Sequence, residues 1–334
     1  MSEPLKIGLH MGPPGQVNML DRATWAEDNG FDSLWIPDGG GRMDGFTMAA
    51  GVAPRTKRIR LATGIVPVYT RPAPVLATSA MTMSYLAPGR FILGLGASSH
   101  AMVENWYGTP FVKPLTRVRE SVQLVQRILA GEKTDFEGET IRSHAFRLGL
   151  PPASPIPIYL AALRPKMLEL AGELADGVIL NLVPLELLPR MLEHLDTGAK
   201  RAGRRVEDLE VVVFLYVFVT SDEAAARQQM AGIAAGYYST PVYNKFLSWM
   251  GYAAEAEQIT AGFREKDRAK TLGAFSDEVL HKLGIIGSAA QCQALIRQYA
   301  AAGVDVPVVT GASADPAVFD ATLDAFTARA LGAA

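Results

Sequence analysis

Short apolar runs alternate with longer segments of helical spacing along most of the chain. The runs that predict β-strands lie at 6–10, 31–37, 61–65, 91–95, 158–161, 177–181, 210–219 and 306–310. Between them, apolar residues recur three or four positions apart and the segments often end at glycine, as amphipathic helices do. The run at 210–219 is almost continuously apolar, which indicates a strand buried on both faces.

Four junctions between a helix and the next strand resemble one another. They read N-G-F-D-S-L-W from Asn29, A-P-G-R-F-I-L from Ala87, A-D-G-V-I-L from Ala175 and A-G-V-D-V-P-V from Ala302. Repeated βα units of this kind, eight in number, predict a (β/α)₈ TIM barrel as a single domain over residues 1–334. A doubly wound sheet is the alternative, but no G-x-G-x-x-G follows the first strand.

Two segments interrupt this rhythm and are predicted to be insertions, at about 131–157 and 236–284. Within the first, 134–148 carries E-G-E at a turn between polar alternations, which indicates a small hairpin. Within the second, aromatic and charged residues alternate irregularly from 236 to 270. We predict that this second insertion covers a pocket.

Composition narrows the classes of protein that remain. Of 334 residues, 49% are hydrophobic and 20% charged, with a formal net charge of −2. There is no basic excess to indicate nucleic-acid binding, and the longest apolar run is too short to cross a bilayer. Cys292 is the only cysteine, which excludes an internal disulfide, and it follows a helical pattern as a buried small hydrophobe would. We expect a soluble cytoplasmic protein.

Barrel enzymes carry their active sites at the C-terminal ends of the strands, and this rule selects candidate residues. The candidates at or just after predicted strand ends are His10, Asp38, Gly64, Ile65, Gly96, Ser98, His100 and Ala161. Histidine titrates near neutrality and suits proton transfer, so His10 and His100 are candidate catalytic residues together with Asp38. The structural alternatives stay open: His10 as a loop histidine bonded to backbone, and Asp38 as a cap of the turn at 39–41.

The sequence gives little support for a metal site or for a hydrolase. No histidines and carboxylates have the spacing of metal ligands, so we expect no metal. No G-x-S-x-G elbow is present, which argues against a hydrolase of that type. His144, His194 and His281 fall in the predicted hairpin or on helices, where structural or surface roles are expected.

The stretch L61-A-T-G-I-V-P-V-Y and its continuation R71-P-A-P-V-L-A-T-S-A-M-T-M-S-Y-L-A-P-G-R-F-I-L-G-L-G-A-S carry a resemblance. Together with A-G-E-L-A-D-G-V-I-L from Ala171 and G-V-D-V-P-V-V from Gly303, in this order and spacing, they resemble the luciferase-like family of flavin and deazaflavin oxidoreductases. The resemblance spans nearly the whole chain.

The resemblance implies a cofactor ring seated over a non-proline cis peptide at the end of the third strand, which by position is Gly64–Ile65. It implies cofactor contacts at Asp38 and Ser98, and near the phosphate at Gly177 and Val178. Gly96 and Ala161 join the cofactor-binding set by their strand-end positions. Its activity would be hydride transfer between coenzyme F420 and a small organic substrate.

Two alternative functions remain within the resemblance. One is an FMN-dependent monooxygenase that uses reduced flavin and O₂ with a separate reductase, and the other is a non-catalytic flavin-binding barrel. A homodimer is expected in each case. One departure matters: several F420-using dehydrogenases carry a histidine just after the strand-two acid, where this chain has Gly39 and Gly40. His10, His100 or Asp38 would then have to supply the proton.

Overall fold

The computed structural model describes residues 5–12, 18–39, 41 and 43–332, so Gly40 of the glycine turn lies outside the described residues. The strands are β1 (Gly8–His10), β2 (Ser33–Ile36), β3 (Arg60–Thr63), β4 (Val66–Pro67), β5 (Phe91–Gly96), β6 (Asp135–Glu137), β7 (Arg142–His144), β8 (Ile158–Ala161), β9 (Gly177–Asn181), β10 (Glu210–Val219), β11 (Gly284–Gly287) and β12 (Val306–Gly311).

The helices follow the strands in the alternation that the sequence predicts. They are α1 (Met19–Asp28), α2 (Gly45–Val52), α3 (Ala73–Leu86), α4 (Pro114–Leu129), α5 (Pro165–Leu174), α6 (Leu188–Arg201), α7 (Glu223–Tyr238), α8 (Pro241–Trp249), α9 (Ala253–Glu265), α10 (Arg268–Leu272), α11 (Asp277–Leu283), α12 (Ala289–Ala301) and α13 (Pro316–Asp324).

The fold is a (β/α)₈ barrel, which confirms the predicted class. The described residues divide into two compact units, one from within Gly8–Ile179 and Leu192–Glu210 and the other from within Met1–Ile7, Leu180–Met191 and Val211–Ala334. In the first unit the parallel strands run in the order β1-β2-β3-β5-β8-β9, and in the second β10 lies between β11 and β12. The single-domain interpretation stays a prediction.

The hairpin of the first insertion is confirmed as the antiparallel pair β6–β7. Glu120 of α4 anchors it, because its carboxylate accepts hydrogen bonds from the backbone N–H groups of Glu139, Thr140 and Ile141 and from the Thr140 hydroxyl. Although burial alone would raise the pKa of Glu120, these hydrogen bonds outweigh burial and lower that pKa.

The second insertion consists largely of helices, which the irregular alternation of residues from 236 to 270 did not predict. Helix α7 continues to Tyr238, and α8, α9 and α10 follow in close succession. The helices bury one side each, for example Phe246, Leu247 and Ile259, which are inaccessible to solvent. Tertiary packing of these short amphipathic helices overrides the weak spacing signal. Strand β11 and a π-helix at Ala101–Trp106 were also not predicted.

Three further features of the described residues relate to the sequence analysis. Cys292 is buried with 1% of its surface exposed, as expected. In the part of the chain that the structure describes, no helix combines the length and apolar character that crossing a membrane requires. The same residues contain no cluster of three or more histidine, cysteine or carboxylate side chains able to hold a metal ion.

A bulge at the end of β3 is the feature of the fold that shapes the candidate site. Ala62 pairs with Ile92, and Val66 pairs with Leu95, so the β3 side carries one residue more than β5 between these pairs. The extra length pushes the chain at Gly64 and Ile65 out of the ladder, as a β-bulge does. Gly64 N–H still donates to the Ile36 carbonyl at 2.7 Å.

Gly94 makes this bulge possible. The Thr63 hydroxyl donates to the Gly94 carbonyl and accepts from the Gly94 N–H, both at 2.9 Å, in place of the missing ladder bonds. A β-carbon at Gly94 would lie only 1.9 Å from the Thr63 carbonyl oxygen. The two strands can therefore approach this closely only if position 94 is glycine.

We predict that Gly94→Ala destabilises the protein by roughly 3 kcal/mol or more, because rigid backbone has to move to admit the methyl group. Urea unfolding followed by circular dichroism measures the change. The matched control is Gly232→Ala in α7, where a β-carbon meets nothing within 4 Å; there we expect about 0.5–1 kcal/mol of added stability. Equal effects of the two substitutions would contradict the close-approach argument.

Candidate active site

The peptide bond between Gly64 and Ile65 is cis, as predicted. Both residues are partly accessible, although Thr63 before them and Val66 after them are buried. The bulge therefore presents one short piece of backbone and the Ile65 side chain at an accessible surface.

Ile65 lies beside two other predicted residues, Gly96 at the end of β5 and Ala161 at the end of β8. A β-carbon at Gly96 would be 2.9 Å from Ile65 Cδ1 and 3.1 Å from Ala161 Cβ. The structure thus brings three of the sequence-predicted cofactor residues together at the C-terminal ends of neighbouring strands. Gly96 and Ala161 are small and Ile65 is partly accessible, so this apolar group fits the flat ring of a flavin or deazaflavin.

Asp38 follows β2, and both oxygens of its carboxylate accept hydrogen bonds. Its Oδ1 accepts from Gly45 N–H at 2.6 Å and from Arg71 Nη2 at 3.0 Å, and its Oδ2 accepts from Arg71 Nη1 at 2.7 Å. Its side chain is 2% exposed. Arg71 also pairs with Asp44, the N-cap of α2, whose side chain accepts from Thr47 N–H.

This arrangement changes the interpretation of Asp38. Burial would lower the pKa of Arg71, but its hydrogen bonds to Asp38 and its attraction to two carboxylates raise it overall. Both oxygens of Asp38 already accept hydrogen bonds from Arg71 and the Gly45 N–H, so the carboxyl group is poorly placed to donate a proton to another group. Asp38 therefore orients Arg71 and the start of α2, and its contact with a cofactor stays a prediction. Sequence analysis gave no role to Arg71 or Asp44, although Arg71 begins the second of the quoted stretches.

His10 is the last residue of β1, where it pairs in register with Trp35 of β2. Its side chain is partly buried, and a β-carbon at Gly12 would come 4.0 Å from its Nδ1. The Gly12 N–H donates to the His10 carbonyl at 2.9 Å, which fixes the backbone that carries the ring. A strand end of this kind holds a side chain more firmly than a loop does.

His100 and Ser98 lie in the segment after β5. Ser98 has a left-handed backbone with φ of 64°, and its hydroxyl contacts Met102 Sδ at 3.4 Å. His100 immediately precedes the π-helix, and its Nε2 lies 3.0 Å from Glu104 Oε2, with 52% of the His100 side chain exposed. An exposed ion pair is a weaker candidate for proton transfer at a ring than a strand-end histidine.

The same π-helix segment reaches the glycine turn after β2. A β-carbon at Gly39 would lie 2.7 Å from the Tyr107 hydroxyl oxygen, and Gly39 has a left-handed φ of 85°. The Tyr107 hydroxyl therefore stands where a side chain at position 39 would begin. Sequence analysis noted the absence of a side chain there but gave no sign of this neighbour.

The assignment of Gly177 and Val178 to a phosphate is wrong in its placement. Gly177 is the first residue of β9, so both residues lie at the strand's N-terminal end, away from the C-terminal ends that carry Ile65, Gly96 and Ala161. A β-carbon at Gly177 would meet the Glu210 carbonyl oxygen and the Tyr159 ring at 2.7 Å. The glycine is explained by strand packing, and no space for a phosphate opens beside it.

The comparisons with known proteins agree with this geometry. The model of the luciferase-like monooxygenase family matches residues 7–306, so the chain belongs to that family. A protein of Mycobacterium tuberculosis assigned as a coenzyme F420-dependent oxidoreductase is 32% identical over 94% of this chain and 97% of its own length. The 5,10-methylenetetrahydromethanopterin reductase of Methanolobus tindarius is 31% identical over 93% of this chain and 95% of its own.

A solved structure shows the same fold. The coenzyme F420-dependent tetrahydromethanopterin reductase of Methanopyrus kandleri superposes with a TM-score of 0.80 at 24% identity, covering 96% of this chain and 97% of that one. The family and the oxidoreductase class that the sequence suggested are both confirmed.

We predict that Arg71→Met destabilises the protein by roughly 3–5 kcal/mol, because it leaves the buried Asp38 carboxylate without its cation. Thermal and urea unfolding measure the loss. The control is Arg55→Met, which removes an ion pair with Asp21 whose side chains are 47% and 66% exposed; there the change should stay below about 1 kcal/mol. A loss at Arg71 no larger than the control's would show that Asp38 does not depend on this partner.

Proposed function

We propose that the protein is a coenzyme F420-dependent oxidoreductase that transfers hydride to or from a small organic substrate. The observation that carries the proposal is the accessible surface at Ile65, flanked by Gly96 and Ala161. The relatives named for F420, which match almost the full length of the chain, support this cofactor over others.

In such a reaction, the residues of the protein would bind the cofactor, orient the substrate and supply protons. When bound, the deazaflavin supplies the hydride chemistry. Ile65, Gly96 and Ala161 would support one face of its ring, and the Asp38–Arg71 pair would keep the neighbouring strand end rigid. His10 would hold or deliver a proton on the substrate side, because it ends β1 and because histidine is the residue type best suited to proton transfer.

An FMN-dependent monooxygenase is the second candidate function. The observation that favours it is the family model itself, whose description is luciferase-like monooxygenase. The same apolar surface at Ile65 would accept an isoalloxazine ring, so geometry at the ring does not separate the two cofactors. Their visible absorption bands differ, and a direct titration separates them.

We predict that coenzyme F420 binds at least tenfold more tightly than FMN in parallel titrations followed by absorbance and by quenching of protein fluorescence. Gly96→Val should weaken binding of the preferred cofactor at least tenfold, because the added carbons would displace Ile65 and Ala161 from the ring surface. Gly149→Ala is the control, since a β-carbon there meets nothing within 4 Å. Tighter binding of FMN would favour the monooxygenase, and binding of neither would reject both.

A further prediction of the proposed function concerns the residue that supplies the proton. With reduced F420 and an accepted substrate, His10→Asn should lower turnover by roughly a hundredfold or more, the usual contribution of a general acid or base. Cofactor affinity, measured separately, should change little. His100→Asn is the comparison and should have a smaller effect, because that side chain is exposed and paired with Glu104. Turnover near wild type in His10→Asn would move the role to His100 or to water.

A further inference from the structure

A group of hydroxyl-bearing side chains in the second unit has no role in the function proposed so far. Tyr237 lies in the last turn of α7 and Tyr243 in α8, with their ring centroids 4.9 Å apart. Asn181 ends β9, and Tyr216 and Thr310 are register partners on β10 and β12. The segment that sequence analysis predicted to cover a pocket therefore contributes two phenols beside three strand residues.

The hydrogen bonds of this group leave two donors unused. Tyr216 donates its hydroxyl to the Tyr237 hydroxyl at 2.8 Å, and Asn181 Nδ2 donates to the Tyr243 hydroxyl at 2.8 Å. Each receiving phenol keeps its own proton, and neither proton has an acceptor among the residues that the structure describes. Two donor O–H groups of adjacent rings are thus available together.

Two buried polar atoms in the same group also lack a hydrogen bond within the described part of the chain. They are the Thr310 hydroxyl oxygen and Asn181 Oδ1. Thr310 is 5% exposed, and as the register partner of Tyr216 on a parallel strand it points to the same face of the sheet. A buried polar atom left unpaired is unfavourable and uncommon in folded proteins, which indicates a polar ligand for this group.

The chemistry of the donors indicates which class of ligand this group binds. Burial raises the pKa values of Tyr216 and Tyr243, so both hydroxyls stay protonated at neutral pH. The hydrogen bonds that the structure records at these five residues involve no charged side chain. Carboxylates and phosphates are usually bound by arginine or lysine, so neutral donors favour an uncharged oxygen such as that of a ketone or aldehyde.

We propose that Tyr237 and Tyr243 bind one carbonyl oxygen of a small-molecule ligand, with Tyr216 and Asn181 as positioning residues that orient the two phenols. The proposal concerns this group of the second unit and names an uncharged carbonyl compound as the class of ligand that it binds. Hydroxyl donors aimed at such an oxygen also stabilise negative charge that develops on it.

The test uses cyclohex-2-en-1-one labelled with ¹³C at the carbonyl, because a hydrogen-bonded carbonyl resonance moves downfield. The probe is titrated into wild-type protein with and without coenzyme F420. We expect a saturable downfield shift. Tyr237→Phe and Tyr243→Phe should each weaken binding roughly three- to tenfold, as loss of one hydrogen bond does, and the double variant should abolish the shift.

Tyr252→Phe is the matched control, since the Tyr252 hydroxyl accepts from Lys282 outside this group and should not matter for the probe. Circular dichroism checks that each variant folds, and if the double variant does not, the two single variants decide. Cyclohex-1-ene-1-carboxylate serves as a charged analogue and should bind more weakly than the ketone.

Several outcomes would overturn the proposal: no shift with the wild-type protein, unchanged binding in both single variants, or stronger binding of the carboxylate. A loss of F420 affinity in the Tyr237 and Tyr243 variants with the carbonyl shift intact would assign the phenols to the cofactor instead. Failure of F420 to bind wild-type protein, with the carbonyl shift still dependent on both tyrosines, would reject the proposed function and leave the carbonyl site standing.

Discussion

Thr63 and Gly94 touch so closely that no side chain fits between their strands, and the candidate ring surface depends on that contact. The threonine hydroxyl takes up both backbone groups of Gly94, which lets β3 leave the ladder without leaving buried polar groups unpaired. The bulge then brings Ile65 against Gly96 and Ala161. One glycine and one hydroxyl thus allow a barrel strand to form the bulge on which the candidate ring surface depends.

The opposite strand ends of the first unit are held by a different kind of interaction. Arg60 bridges Asp32 and Glu210, and Glu210 also accepts from the Tyr159 hydroxyl at 2.6 Å. Although burial would lower the pKa of Arg60, its hydrogen bonds and its two acidic partners raise it overall. Asp32, Arg60, Tyr159 and Glu210 each lie at or next to the beginning of a strand, so the network joins four strand beginnings. In barrel enzymes, residues at the N-terminal ends of the strands usually stabilise the fold, and residues at the C-terminal ends carry the active site. The position of this network agrees with that rule.

Much of the fold could be predicted because local patterns and tertiary packing agree. The predicted limits of β8, β9 and β10 coincide with the observed ones, because each of these strands is a distinct apolar run. Helices α8, α9 and α10 escaped prediction because they are short and give a weak spacing signal, and tertiary packing stabilises them. Gly177 was misassigned because a glycine required by close strand packing looks the same in sequence as one required by a ligand.

The site was predictable in its backbone but not in its side-chain partners. Gly64, Ile65 and Gly96 stand in a recognisable stretch, whereas Arg71 reaches Asp38 over 33 positions of sequence. The tyrosine pair was equally hidden, because Asn181 and Tyr243 are 62 positions apart and follow no motif. Contacts between residues so far apart depend on the closed fold, which single-sequence periodicity does not describe.

The backbone conformation at Gly39 has an evolutionary consequence. A residue with a side chain at position 39 would displace the Tyr107 hydroxyl, the tip of a side chain that is 40% exposed, and would also have to adopt a left-handed backbone. The backbone is the stronger restriction, because it stays in place whatever residue occupies position 107. Asparagine and aspartate adopt this conformation more readily than other residues with side chains, so descendants of this protein would acquire them at that turn before any other.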